Sequence, residues 1–226
     1  MAWRSGLANF FLRASCPICK RPSQGVFCRD CDRQIDAYFP GRMPDEAGLL
    51  PVSVYCWGRY DGALKRAIAA CKFEGARAIA IALGRKLGQH WQQEVRQPPA
   101  QVVVPIPLHP QKLKKRGFNQ AEVMAASFCA VTGLECRPRW LRRVKETKPQ
   151  IETRSRQERE SNLANAFALG ETVRPQSVVV FDDILTSGAT LRAAIALLEQ
   201  HQLRVAGVIV LARTELGTRQ WEGRNV

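Results

Sequence analysis

The sequence lacks any apolar run long enough to cross a bilayer, so a membrane-inserted chain is not expected. It also lacks a Gly-Lys-Ser/Thr phosphate loop and a GxGxxG fingerprint, which sets aside P-loop nucleotidases and dinucleotide-binding enzymes. Internal repeats and low-complexity tracts are missing too. Acidic side chains are scarce beside basic ones: 20 Asp and Glu stand against 34 Lys and Arg, a formal charge of +14. An excess of that size points to anionic partners, without separating nucleic acid from nucleotide or membrane surface. The first residues, "MAWRSGLANFFLRASC", hold an apolar patch too short, and too soon broken by Arg13, for an export signal; a cytoplasmic location is the expectation.

What is present is a globular composition, 46% hydrophobic and 24% charged over 226 residues, enough for one medium domain and a small appendage. Residues 1–15 read as a short amphipathic helix and 16–31 hold paired cysteines. Residues 40–51, with three prolines and two glycines, read as a linker. The expected division is therefore 1–39, 40–51 and 52–226. Beyond the linker, strand-like runs at 52–57, 102–107, 178–181 and 205–212 alternate with helical spacing at 61–75, 77–95, 119–132 and 191–201. Continuous apolar strands alternating with helices predict an α/β fold, a mainly parallel sheet with helices on both faces. Residues 136–160 are highly charged and without period, which marks either a mobile functional loop or a misassigned stretch.

The stretch "VVVFDDILTSGAT" (178–190) carries the first chemistry. In an open α/β sheet, ligands bind beyond the carboxyl ends of the strands. Asp182 and Asp183 close an apolar strand, and Thr186, Ser187, Gly188, Ala189 and Thr190 follow as a small-residue loop running into a helix. Backbone N–H groups, hydroxyls and a helix N-terminus together suit a phosphate dianion. Carboxylates beside such a site need a different partner, either vicinal sugar hydroxyls or Mg²⁺, so the stretch describes a sugar phosphate. Helix capping by Thr186 or Ser187 is the plainer alternative, but capping does not call for the preceding Asp-Asp.

These residues resemble the phosphoribosyl pyrophosphate (PRPP) motif of type I phosphoribosyltransferases. With "VVVPIPLHPQKLKKRGFNQAEVMA" (102–125), "CKFEG" (71–75) and an N-terminal CxxC pair, the chain resembles the ComF/GntX family of phosphoribosyltransferase-like proteins linked to competence and DNA utilisation. The resemblance implies PRPP bound with Mg²⁺, Asp182 and Asp183 on the ribose hydroxyls or the ion, and residues 186–190 on the 5′-phosphate. It implies a pyrophosphate loop after the 102–107 strand, with Arg116 as the main ligand, supported by Lys115; a planar guanidinium suits phosphate oxygens. It makes 136–160 a hood, with Thr147, Gln150, Arg156 and Asn162 within reach of the site. Where purine-salvage members of the fold carry a carboxylate base in the phosphate loop, this sequence has Thr186, so the acceptor is not defined. Ribosyl transfer and a non-catalytic nucleic-acid-binding role in transformation both stay open. For the latter, "RPRWLRR" (137–143) sets Trp140 among four arginines, a pattern that could stack one base of single-stranded DNA, although such a tryptophan is more often a packed residue; a competence-machinery protein is a further candidate partner.

Cys16-x₂-Cys19 and Cys28-x₂-Cys31, eight residues apart, have the spacing of a closed four-thiolate Zn²⁺ site, which would be structural. A thioredoxin-like motif would use a single CxxC at the start of a helix. Cys56, Cys71, Cys129 and Cys136 read as buried thiols.

Overall fold

The computed structural model describes residues 15–37, 48–72, 77–145 and 166–214. Its centre is a five-stranded parallel sheet in the order β1 (Val54–Arg59), β7 (Leu203–Arg213), β6 (Gln176–Leu185), β2 (Val102–Pro105), β3 (Glu135–Cys136). The valine-rich strands form because both of their faces are covered. Val103, Val179, Phe181, Ile209 and Leu211 face one core, while Val102, Val104, Val178, Val180, Val208 and Val210 face the other.

Helices α2 (Gly62–Ala70), α3 (Arg77–Glu94) and α5 (Gln120–Thr132) fill the first face, and α6 (Ala189–Gln200) the second. Helices α3 and α5 approach closely. A Cβ on Gly84 would overlap the Met124 backbone carbonyl, and one on Gly88 would stand 2.9 Å from Val131 Cβ. The first face also receives the cysteine module: Cys16, Phe27, Cys28, Cys31 and Ile35 belong to its core, with α1 (Arg29–Asp36) against α2. Lys86 of α3 grips this module, its Nζ lying 2.9 Å from each carboxylate oxygen of Asp36 and 3.1 Å from Asp32.

Two details differ from the sequence reading. The basic segment after β2 is not a loop but a short helix, α4 (Pro110–Arg116). His109 caps it, Nδ1 accepting from Gln111 N–H at 3.4 Å, and Pro110 occupies the first turn, where its missing N–H costs nothing. The 136–160 stretch is not patternless throughout: β3 joins the sheet edge, and β4 (Leu141–Arg143) pairs antiparallel with β5 (Phe167–Leu169). Trp140 follows the packed alternative and is no open platform for bases. It is 7% exposed and packs in the second core, with the Arg137 guanidinium 5.8 Å from its ring centre. A flat apolar ring gains more from burial than the flanking arginines gain from presenting it.

Candidate functional site

The sheet has one topological switch point. From β2 the chain runs through α4 and α5 on the first face to β3; from β6 it runs through α6 on the second face to β7. The two paths diverge beyond the carboxyl ends of the adjacent strands β2 and β6, and such a divergence is where open sheets of this kind form their ligand crevice. The β2–β6 ladder closes with the Ile106 N–H donating to the Phe181 carbonyl at 2.8 Å, and Asp182 is the next residue on β6.

Strand β6 continues through Leu185, in register with β7, so the aspartates lie within the strand and not after it. On the β2 side they have no ladder partner, because β2 has already ended. Neighbouring side chains on a strand would ordinarily diverge. Here the Asp182 carboxylate folds back to accept from the Asp183 N–H at 2.8 Å, which keeps it beside the Asp183 carboxylate without a turn in the backbone. Although Asp182 keeps some surface, desolvation, then repulsion from Asp183, raises its carboxyl well above the ordinary value; the charge of Arg143 on β4 acts the other way. Asp183 is 8% exposed. Its charge is felt by Tyr60 and Cys71, which flank α2; burial first and Asp183 second raise the Tyr60 phenol and push the Cys71 thiol up to about 12.

The segment Arg116-Gly117-Phe118-Asn119-Gln120 forms the opposite wall, and each residue has a task. Gly117 ends α4 in the left-handed conformation, φ 80°. Phe118 anchors in the first core. Asn119 donates from Nδ2 to the Ile106 carbonyl at 3.0 Å, pinning the turn after β2. Gln120 is 6% exposed; its Nε2 donates to Asp183 Oδ2 at 3.1 Å and its Oε1 accepts from Arg116 Nη1. The structure thus joins Arg116 to Asp183 through one amide. Lys115 is exposed on α4 with Lys112 and Lys114, and it makes no ion pair among the described residues.

The loop after β6 brings Thr186, Ser187, Gly188, Ala189 and Thr190 to the same edge. Gly188, the N-cap of α6, has φ 73°; a Cβ there would stand 3.1 Å from Arg192 Nη1, 3.2 Å from Leu50 Cδ2 and 3.3 Å from the Leu49 carbonyl. Thr186 is exposed, Ser187 and Thr190 are half-buried, and the N-cap of α6 is Gly188, which has no side chain to cap with. The end of the expected linker takes part: Leu50 is buried, and Arg192 Nη1 donates to the Leu49 carbonyl and the Ser187 carbonyl.

Away from the crevice, the ligand atoms of Cys16, Cys19, Cys28 and Cys31 all lie within 4.8 Å of one another, and Cys19 Sγ is 3.5 Å from Cys28 Sγ. A tetrahedral thiolate site with Zn–S near 2.3 Å has S···S edges of about 3.8 Å, so the donor set fits a metal such as zinc. Arg21 Nε donates to Cys19 Sγ at 3.3 Å, and this bond holds the thiol down at about 6. Sulfur ligands oriented by outer hydrogen bonds are the usual support of such sites.

Of the residues read from sequence, Arg116, Asp182, Asp183 and 186–190 come to one edge of the sheet. Thr147, Gln150, Arg156 and Asn162 lie outside the described residues, as does the 1–14 segment of the expected N-terminal helix. Gln120, Asn119, Arg143 and Arg192 gained no individual role from sequence. Only the compactness of RGFNQ signalled the first two, and nothing local marks the other two.

The description "Phosphoribosyl transferase domain" matches residues 76–224. A DNA utilization protein YhgH of Salmonella typhi is 30% identical over 202 residues, 88% of this chain and 84% of that one. A competence protein ComFC of Bacillus subtilis is 28% identical over 204 residues, 88% of this chain and 78% of its own. Among solved structures, an adenine phosphoribosyltransferase from Leishmania donovani covers 81% of this chain and 79% of its own at 10% identity, with a TM-score of 0.37.

Proposed function

Because the chain belongs to the phosphoribosyl transferase domain family, we propose that its crevice binds PRPP together with Mg²⁺, in the service of DNA uptake or utilisation. The observation that carries this reading is the meeting, at one switch point, of two adjacent carboxylates and a small-residue loop turned by Gly188. Residues 186–190 hold the 5′-phosphate through backbone N–H groups and hydroxyls. Asp182 and Asp183 hold the ribose diol, directly or through the ion. Two crowded carboxylates, one with a raised affinity for a proton, suit a hard cation with oxygen ligands. When bound, Mg²⁺ supplies charge neutralisation for the phosphate oxygens. Arg116 and Lys115 face the pyrophosphate.

The reaction such a site serves is displacement at the ribose C1. The bond to pyrophosphate oxygen breaks, a bond to the acceptor forms, and the negative charge leaves with pyrophosphate, where Arg116 stabilises it. The phosphate loop has Thr186 where purine-salvage members of the fold carry a carboxylate base, so the acceptor and the group that takes its proton stay undefined. In the Cys16, Cys19, Cys28, Cys31 cluster we place one structural zinc, which leaves no open coordination position. We place the protein in a reducing, cytoplasmic setting, where a four-thiolate metal site persists.

A second reading, a nucleic-acid-binding accessory protein acting with a competence-machinery partner, is favoured by the exposed Lys112, Lys114 and Lys115 of α4 at this same edge. Calorimetry with PRPP and Mg²⁺, repeated with single-stranded DNA at two salt concentrations, separates the two. Saturable PRPP binding supports the first. If neither PRPP nor ribose 5-phosphate with Mg²⁺ binds, the crevice is a relic of the fold and the first reading goes.

A further inference from the structure

We propose that Gln120 is a positioning residue that preorganises the two arms of the site, making the pyrophosphate arm and the diol arm act as one unit; this rests on the PRPP reading above. Gln120 is the first residue of α5, buried, with its amide between charges of opposite sign. Its Oε1 faces the Arg116 guanidinium and its Nε2 faces the Asp183 carboxylate at 3.1 Å. The reverse amide orientation would set a donor against a cation and an acceptor against an anion, so the charges fix the rotamer. Each charged group is in turn fixed by the amide. Arg116 is held at the end of α4, with its remaining N–H groups available to a ligand, and Asp183 is held with Oδ1 uncommitted to Gln120.

An Arg and an Asp in direct contact would neutralise each other and close the crevice. The interposed amide keeps them ordered yet apart, one for an anion and the other for a hydroxyl or a cation. Asn119 does the same for the wall itself, tying α5 to the turn after β2. The five-residue segment is therefore a rigid jig in which Gln120 sets the separation of the two arms. Ordering both arms before binding lowers the entropy lost on binding.

The test combines a mutant cycle with a ligand-free readout. PRPP affinity in Mg²⁺ is measured for Arg116→Ala, Asp183→Asn and the pair, in the wild-type background and in Gln120→Ala, with circular dichroism on each variant. Gln120→Ala alone should weaken PRPP roughly tenfold to a hundredfold, because Arg116 and Asp183 would then have to be ordered at the moment of binding. In the wild-type background the two substitutions should be coupled by roughly threefold or more, and in Gln120→Ala they should become additive. In ligand-free protein the Gln120 side-chain amide protons should exchange slowly with water by NMR, and faster in Arg116→Ala or Asp183→Asn. If PRPP binds but the coupling survives removal of Gln120, or the amide exchanges like an exposed glutamine, the jig is overturned and the PRPP reading stands. If wild type binds no PRPP while the amide is protected, the PRPP reading falls, and the preorganising role falls with it.

Discussion

Arg192, in the first turn of α6, reaches Leu49 across 143 residues of sequence: its Nη1 donates to the Leu49 carbonyl at 2.8 Å and to the Ser187 carbonyl at 3.0 Å. One guanidinium thereby braces the loop after β6 against the chain that enters the domain, and Gly188 lies against that brace.

Arg192→Met, which keeps the aliphatic stem, should cost about 1–3 kcal/mol of stability by stranding these carbonyls. It should weaken ribose 5-phosphate binding more than pyrophosphate binding. Gly188→Val should cost about 1–2 kcal/mol from the left-handed backbone alone and abolish phosphate binding by blocking close approach. Urea unfolding and calorimetry check both; a Gly188→Val protein that binds ribose 5-phosphate normally would remove the loop from the site.

The carboxyl of Asp182 is raised on folding, by desolvation and by Asp183. Such a group takes up a proton as the chain folds. It therefore favours the fold below the unfolded-state value near 3.8, and that contribution is lost as pH rises through the folded-state value. At neutral pH its charge is a cost, so Asp182→Asn should melt above wild type at pH 7 and lose the advantage as pH falls toward about 4. Asp183→Asn should instead destabilise by about 1–2 kcal/mol, since it weakens the partner of Gln120 Nε2. Both should bind PRPP more weakly. Melting curves across pH, read beside PRPP titrations, decide whether stability and binding move in opposite directions at Asp182.

Purified protein never exposed to chelator should carry one zinc per chain by elemental analysis. Because Cys16, Cys28 and Cys31 lie in the same core as α2 and α3, a strong chelator should lower the melting temperature of the whole domain. Cys31→Ser should cost more than about 2 kcal/mol. Less than half an equivalent of metal, or a melt indifferent to chelator, would remove zinc from the account.

Single-stranded DNA binding, if mounted on α4, should be electrostatic. Replacing Lys112, Lys114 and Lys115 by Ala should flatten the slope of log affinity against log salt by about 2, at about 0.7 per phosphate contact. Trp140→Ala should show its effect in stability, about 3–5 kcal/mol for a buried ring, and not as a selective loss of DNA affinity. Filter binding over a salt series with a parallel unfolding curve separates the two effects.

The parallel sheet was legible because a strand buried on both faces must be apolar throughout, and 102–107, 178–181 and 205–212 are. The aspartates and the loop after them were legible because carboxylates are rare in such strands. The far end of β6 was not: a strand carrying two charges looks finished, yet its ladder with β7 runs on to Leu185. Helix α4 hid behind its lysines, although Pro110 and Gly117 mark its two ends. The ties that set the site's dimensions, Gln120 to Asp183 and Arg192 to Leu49, join residues 63 and 143 positions apart. No local pattern encodes them, since each depends on how the sheet brings its edges together.

Gly84 carries a consequence of its own. It lies on α3, whose face meets the α5 backbone at Met124, one helical turn or about 6 Å along the axis from Gln120. The missing side chain acts as a spacer gauge: the thickness of one hydrogen atom sets how far α5, and the amide at its tip, stands from α3. A methyl group added at Gly84 would push α5 away from α3 while touching no ligand. A survey ranking positions by distance from the crevice would pass over this glycine, yet it belongs to the metrology of the crevice as much as any residue lining it.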